Sequence, residues 1–137
     1  MPKPLLEMSL LSPVLRHLRR RKFRTLLTEV PFYDYRIDVF GFSATQNLTV
    51  AIELKLENWR RAFQQALIYQ LCADLSFVAM PQANVSRLDL GLFAANGVGV
   101  IGVSLTQGCR AILPAVSSAV VRPHYRSDLV HLLKEFA

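Results

Sequence analysis

The sequence predicts an α/β domain in which helices pack on a mixed β-sheet. Three observations carry this. Residues 35–42 and 48–56 alternate polar and apolar side chains with a period of two, the signature of half-buried strands. Apolar residues recur at helical spacing in residues 58–73 and again in 124–136. Between those helices lie short apolar runs broken by proline or glycine, which read as further strands. The 137 residues show no repeat, linker or low-complexity tract, so 1–137 reads as one domain, long enough to bury a core without staples.

Taken in order, Ser12 followed by Pro13 suits a helix start and predicts a helix to about Lys22, with Val14, Leu15 and Leu18 inward and Arg16, Arg19 and Arg20 wet. Residues 25–30 predict a first strand limited by Pro31. In residues 35–42, Ile37 and Val39 fall on one side and Arg36, Asp38 and Phe40 on the other; a turn at 43–47 pairs this strand with the next as a hairpin. In 48–56, Thr49, Ala51, Glu53 and Lys55 share one face, and Val50, Ile52, Leu54 and Leu56 the other. Asn58 caps a helix to about Ala73. A short strand follows at 75–80, then a helical turn at 84–90, a Gly-rich strand at 97–104 and a last strand near Ala111. A closing helix at 124–136 turns Leu129, Leu132 and Leu133 inward.

Composition narrows the function classes. A hydrophobic content of 52% excludes a disordered tail, yet no stretch offers about 18 clean apolar residues, so no membrane span is expected. The apolar Leu10–Leu11 pair precedes the charges, the wrong order for a secretory signal. Two cysteines, Cys72 and Cys109, are too few for a disulfide framework, so a reducing, cytoplasmic setting with buried thiols is expected. The sequons at Asn47 and Asn84 carry no weight there. The net charge of +6 is uneven: residues 1–61 hold 11 Lys/Arg against 6 Asp/Glu. A basic surface concentrates polyanions and speeds their encounter. Arg19, Arg20, Arg21, Lys22 and Arg24, with Arg60 and Arg61, are the expected nucleic-acid contacts; a solvated helix end is the plain alternative for the first run. His17, His124 and His131 show no metal-ligand spacing, and Gly97–Gly102 lacks the lysine of a phosphate-binding loop.

Glu53-Leu54-Lys55 is a weak pattern by itself. Its setting strengthens it, because both charges interrupt an apolar strand and share one face, which is costly unless they are paired or bind a metal. Asp38 interrupts the preceding strand in the same way, and the hairpin brings it beside Glu53. Two adjacent carboxylates either share a proton or hold a cation, and oxygen ligands suit Mg²⁺ or Mn²⁺. A buried ion network is the competing reading. On the following helix, Arg61, Gln65 and Tyr69 form one polar stripe.

An aspartate, a turn, Glu-x-Lys on the next strand and then a helix carrying Gln65-x-x-x-Tyr69 resembles the PD-(D/E)xK nuclease superfamily. The resemblance covers about residues 14–104 and departs at Ile37, where the family pattern has proline. It implies a restriction-endonuclease-like α-β-β-β-α-β core and metal-dependent hydrolysis of DNA, endonucleolytic rather than exonucleolytic. It also implies Asp38, Glu53 and Lys55 as the catalytic set, supported by Gln65 and Tyr69. Mg²⁺ or Mn²⁺ would be held by Asp38, Glu53 and the Leu54 carbonyl. An upstream acid is implied too, with Glu29 the first candidate and Glu7 the other. A homodimer is expected by the same analogy. The rival within this fold is a catalytically inactive DNA-binding or assembly module, against which the intact Asp38, Glu53 and Lys55 argue.

Overall fold

The computed structural model describes residues 6–137. A 3-10 turn, Glu7–Leu10, leads into α1 (Leu11–Arg20); β1 (Thr25–Phe32), β2 (Tyr35–Ser43) and β3 (Leu48–Leu54) follow. Then come α2 (Trp59–Tyr69), β4 (Leu75–Pro81), a second 3-10 turn (Gln82–Arg87), α3 (Leu90–Ala95), β5 (Gly99–Ser104), β6 (Gly108–Leu113) and α4 (Pro123–Phe136). The architecture is therefore α/β, with a six-stranded mixed sheet flanked by helices. Spatial order follows chain order from β1 to β6: β1, β2 and β3 form an antiparallel meander, β3, β4 and β5 run parallel, and β6 returns antiparallel. Among the described residues no helix is long and apolar enough to cross a membrane.

Both sheet faces are covered. On one, Val39, Val50, Ile52, Leu54, Ala79 and Ile101 pack under Leu10, Val14 and Leu18 of α1 and its lead-in turn. On the other, Phe40 and Ala51 meet Tyr69, Leu129 and Leu133 of α2 and α4. Farther along that face, Val78, Met80 and Val100 meet Ala62, Phe63, Ala66 and Phe93. Trp59 packs against Phe93 with ring centroids 5.9 Å apart, an anchor for the start of α2. Cys72 is a buried free thiol and Cys109 a half-buried one.

The sequence expectations differ from this structure at element ends. Ser12 does not cap α1: the 3-10 turn runs straight into the helix from Leu10, which is fully buried, so burial of Leu10 sets the start. Pro31 lies inside β1, tolerated because β1 is an edge strand with one side unpaired. Strand β3 stops at Leu54 instead of Leu56. Helix α2 ends at Tyr69, four residues before Ala73, because the chain turns there to bury Cys72 and Ala73. The Leu71 carbonyl also leaves the helix, to accept the Arg122 amide at 2.8 Å. Helix α3 was not anticipated; it is six residues long, capped by the Asp89 carboxylate accepting from the Leu92 amide at 3.1 Å, and too short to show a period.

At the end of the sheet where β3 begins, Asp74 accepts from the Thr49 amide (2.8 Å), the Thr49 hydroxyl (2.9 Å) and Arg126 Nε (2.9 Å), and Arg126 also donates to the Asn47 carbonyl. This partly buried ion pair ties α4 to the start of β3 and β4. The candidate site lies at the opposite end.

Candidate functional site

The β2–β3 register pairs Val39 with Ile52 and Phe40 with Ala51. Continued one step, it sets Asp38 against Glu53 as direct cross-strand neighbours, on the face that α2 and α4 cover. The ladder changes character at this step. Asp38 Oδ2 accepts the Leu54 amide at 2.8 Å, so a side chain takes over where the backbone pairing ends. On the other side of β3, Lys55 continues the connection to β4, its amide donating to the Ala79 carbonyl at 3.0 Å.

Glu53 is buried to 4% exposure inside this end of the sheet. Its Oε1 lies 3.0 Å from the Tyr69 hydroxyl, which also lies 3.2 Å from the Arg36 carbonyl. A phenol has one proton, and here it faces two acceptors. The Tyr69 hydroxyl is placed to donate to Glu53 Oε1 or to the Arg36 carbonyl, and its one proton cannot serve both in full. Burial, then the Asp38 charge, push the Glu53 carboxyl up to about 8, against the opposing pull of Tyr69 and Lys55. Burial also raises Asp38, while the Leu54 amide and Lys55 pull it down. Burial, then Glu53, hold the Tyr69 hydroxyl in its protonated form.

The two carboxylates open onto a cleft of about 510 Å³. Its walls are Asp34, Tyr35 and Arg36 from the start of β2, and Arg61, Gln64, Gln65 and Ile68 from α2. Gln65 presents a buried Oε1 that has no hydrogen-bond partner. An unpartnered carbonyl oxygen that shares a cleft with two acids is the kind of oxygen set that suits a hard cation. Among the described residues no three His, Cys, Asp or Glu side chains cluster as a closed metal cage. Two carboxylates with open positions suit Mg²⁺, which keeps water and substrate oxygens in its shell, better than a structural zinc.

Several expected residues thus come together: Asp38, Glu53, Gln65 and Tyr69 directly, and Lys55 through its charge on both acids. The upstream acid is corrected. Glu29 falls opposite Asp38 in the β1–β2 register, but its backbone is left-handed (φ 53°), its side chain is exposed and it does not act on either acid. Glu7, in the turn before α1, does act on both. No sequence spacing links a residue in that turn to a hairpin thirty residues later.

The expected nucleic-acid contacts fall into two separate groups. Arg61 lines the cleft and Arg60 lies over the Trp59 ring at 4.5 Å, both in the first turn of α2. Arg19, Arg20, Arg21, Lys22 and Arg24 belong to the far end of the sheet. The Arg21 carbonyl accepts from Gln46 in the β2–β3 turn, and Arg21 borders a small apolar crevice of about 230 Å³ with Leu48 and Leu75. The length of β3 separates the two groups, roughly 20 Å for seven residues. The cause is the direction of α1, which carries its C-terminal charges away from the site. The sequence also missed Asp34, Tyr35, Arg36 and Gln64 as cleft walls; the first three follow from the hairpin geometry and Gln64 from the packing of α2, and none belongs to a motif.

No family model matches the chain, and no curated protein does. Among solved structures it is similar to a protein of unknown function from Silicibacter pomeroyi, with 20% identity, a TM-score of 0.75, and coverage of 98% of this chain and 87% of that one. At that identity the likeness establishes a shared fold alone.

Proposed function

We propose that this protein is a metal-dependent DNA nuclease with a restriction-endonuclease-like core, acting at the end of the β2–β3 hairpin. The observation that carries the reading is the cross-strand Asp38–Glu53 pair, with Lys55 two residues on along the chain and the unpartnered Gln65 oxygen in the same cleft. Bound there, Mg²⁺ or Mn²⁺ would polarise a phosphodiester and lower the pKa of a bound water. The protein's own groups divide the remaining work. Asp38 and Glu53 would hold the cation with the Leu54 carbonyl and orient it towards the cleft. Lys55 would hold the attacking water or offset charge on the phosphate oxygens. Tyr69 fixes the Glu53 carboxyl against the Arg36 carbonyl, and Gln65 would turn its free oxygen to the metal shell.

Charge placement supports an anionic substrate. Arg60 and Arg61 sit in the first turn of α2, where no acidic residue accompanies them and the helix dipole disfavours cations. A phosphate at the cleft mouth offsets that cost. Structure-selective or partner-guided cutting, at junctions, flaps or free ends, is the form of the reading we favour, since the sequence carries no recognised sequence-reading motif. A homodimer that cuts both strands of a duplex, in a cytoplasmic setting, follows from the same reading.

The direct test is nicking of supercoiled plasmid and cleavage of branched DNA in Mn²⁺ and in Mg²⁺, with an EDTA control. Cleavage that persists in EDTA overturns the reading. Binding in Ca²⁺ tests the surface. Arg61→Gln should flatten the slope of log K against log salt by about 0.9 on duplex DNA, whereas Arg20→Gln with Arg21→Gln should leave cleavage rates little changed. A larger loss of cleavage from the Arg20/Arg21 pair would place the substrate track at the wrong end of the sheet.

A further inference from the structure

We infer that the tip of the β1–β2 hairpin is a stacking platform for an unpaired DNA base, which makes the substrate one with a single-stranded overhang or flap; this rests on the nuclease reading above. The tip is a two-residue turn, Tyr33–Asp34, closed by the Phe32–Tyr35 pair. Tyr33 takes φ 53°, a conformation that hairpins of this length normally give to glycine and that is strained for a bulky side chain. Strain of this kind persists only where surrounding contacts hold it, and it is concentrated at functional sites. What it displays is an aromatic ring 72% exposed to solvent.

The ring is held in place and does not swing freely. The Tyr33 hydroxyl donates to Tyr125 at 2.6 Å, and Phe32, Tyr33 and Tyr125 stand edge-to-face with centroids 5.2–5.5 Å apart. A fixed, solvent-facing aromatic loses little entropy on stacking with a planar ligand. The carboxylates Asp34 and Asp128 flank the tip, so phosphate is unwelcome there while a neutral base face is not. Positive charge lies one step towards the cleft instead, on Arg36 and Arg61, which have no ion-pair partner among the described residues. The order along the surface is therefore base platform, two arginines, then Asp38 and Glu53. From Tyr35, which closes the turn, Asp38 lies three steps along β2, roughly 10 Å, and the whole track is within reach of a few nucleotides of extended strand.

The test uses the full chain in Ca²⁺ with a DNA hairpin carrying a short overhang that contains 2-aminopurine. Wild type and Tyr33→Phe, which lacks the hydroxyl but keeps the ring, should quench the fluorophore. Both should bind the overhang roughly 10- to 100-fold more tightly than the blunt hairpin. Tyr33→Asn suits the same left-handed backbone, so its thermal midpoint should be equal or higher, and it should lose both the quenching and the preference. If Tyr33→Asn keeps the wild-type preference, or if wild type and both variants bind blunt and overhanging DNA alike, the platform is refuted. An RNA overhang bound more tightly than DNA would refute the assignment to DNA. Cleavage in Mn²⁺ without any effect of Tyr33→Asn would leave the nuclease and remove the platform; stacking without cleavage in any metal would do the reverse.

Discussion

Glu53→Gln should reduce Mn²⁺-dependent cleavage by on the order of 10³-fold or more while leaving the fold intact. The size follows from losing a charged ligand of the proposed cation, which would supply several kcal/mol of charge stabilisation, each ~1.4 kcal/mol being tenfold in rate. The substitution is chosen for its geometry. Glutamine keeps the shape of Glu53 and can still hydrogen-bond to the Tyr69 hydroxyl, so the buried 3.0 Å contact is not simply vacated. Asp38→Asn is the matching change, because the asparagine oxygen can still accept the Leu54 amide that Asp38 now accepts at 2.8 Å. Asp38→Ala would strand that amide and confuse folding with catalysis. Lys55→Met should fall with these two. Tyr69→Phe should cost less, roughly 10- to 100-fold, since it orients a ligand and does not hold the metal. The measurement is single-turnover cleavage in Mn²⁺ with circular dichroism on each variant. Activity in Glu53→Gln within tenfold of wild type would remove Glu53 from the chemistry.

Stability without metal should fall as pH rises from about 4.5 to about 8, and divalent cation should restore it. Glu53 has an ordinary value of 4.5 and is pushed to about 8 in the fold. Below 4.5 the folded and unfolded chains both keep the proton, so the carboxyl is neutral in the balance. Between the two values the unfolded chain releases the proton and the folded one holds it, so stability declines with pH and levels off above 8. The raised Asp38 acts with the same sign. The loss should be on the order of 2–5 kcal/mol. His17 acts oppositely: burial, then Arg21 and Arg20, lower its pKa, which adds stability as pH rises through its ordinary value of 6.5. The clean quantity is therefore the difference between wild type and Glu53→Gln, measured by urea unfolding across pH 4–9 in EDTA. Under the proposed function Mg²⁺ would bind the ionised pair, and it should then stabilise wild type by an amount set by its concentration over Kd, more at pH 8 than at pH 5. A pH profile that is the same in Glu53→Gln as in wild type, or Mg²⁺ stabilisation that survives in Glu53→Gln and Asp38→Asn, would contradict both the buried proton and the cation site.

The hairpin and its two acids were legible because strand period is a strictly local property. Residues 38 and 53 each interrupt an apolar run, the turn between the strands is short, and alternation alone then decides which side chains share a face. Gln65 and Tyr69 were legible for the same reason, four apart on one helix. What failed depended on long-range packing. The last turn of α2 gave way to burial of Cys72 and Ala73, and Ser12 lost its capping role to the burial of Leu10. The charges of Arg19 to Lys22 share the basic half of the sequence with the two acids, yet the direction of α1 set them a strand's length away. Glu29 sat at the right strand position, and a left-handed backbone turned it outward.

The meander that carries the acids has a consequence for how the chain folds. The hydrogen bonds that define the site join residues 16 positions apart (Asp38 to Leu54, Glu53 to Tyr69) or 33 apart (Arg36 to Tyr69). The bonds that fasten α4 to the sheet span 52 and 79 positions. Loop closure favours the short spans, so β2, β3 and α2 can assemble as a local nucleus before β4 to β6 add their parallel and returning strands. Two carboxylates are then brought together early, while the chain is still open to water and cations. In such a sequence of events the repulsion between Asp38 and Glu53 is met first in the folding nucleus, and a cation or a proton that relieves it speeds folding as well as stabilising the finished domain.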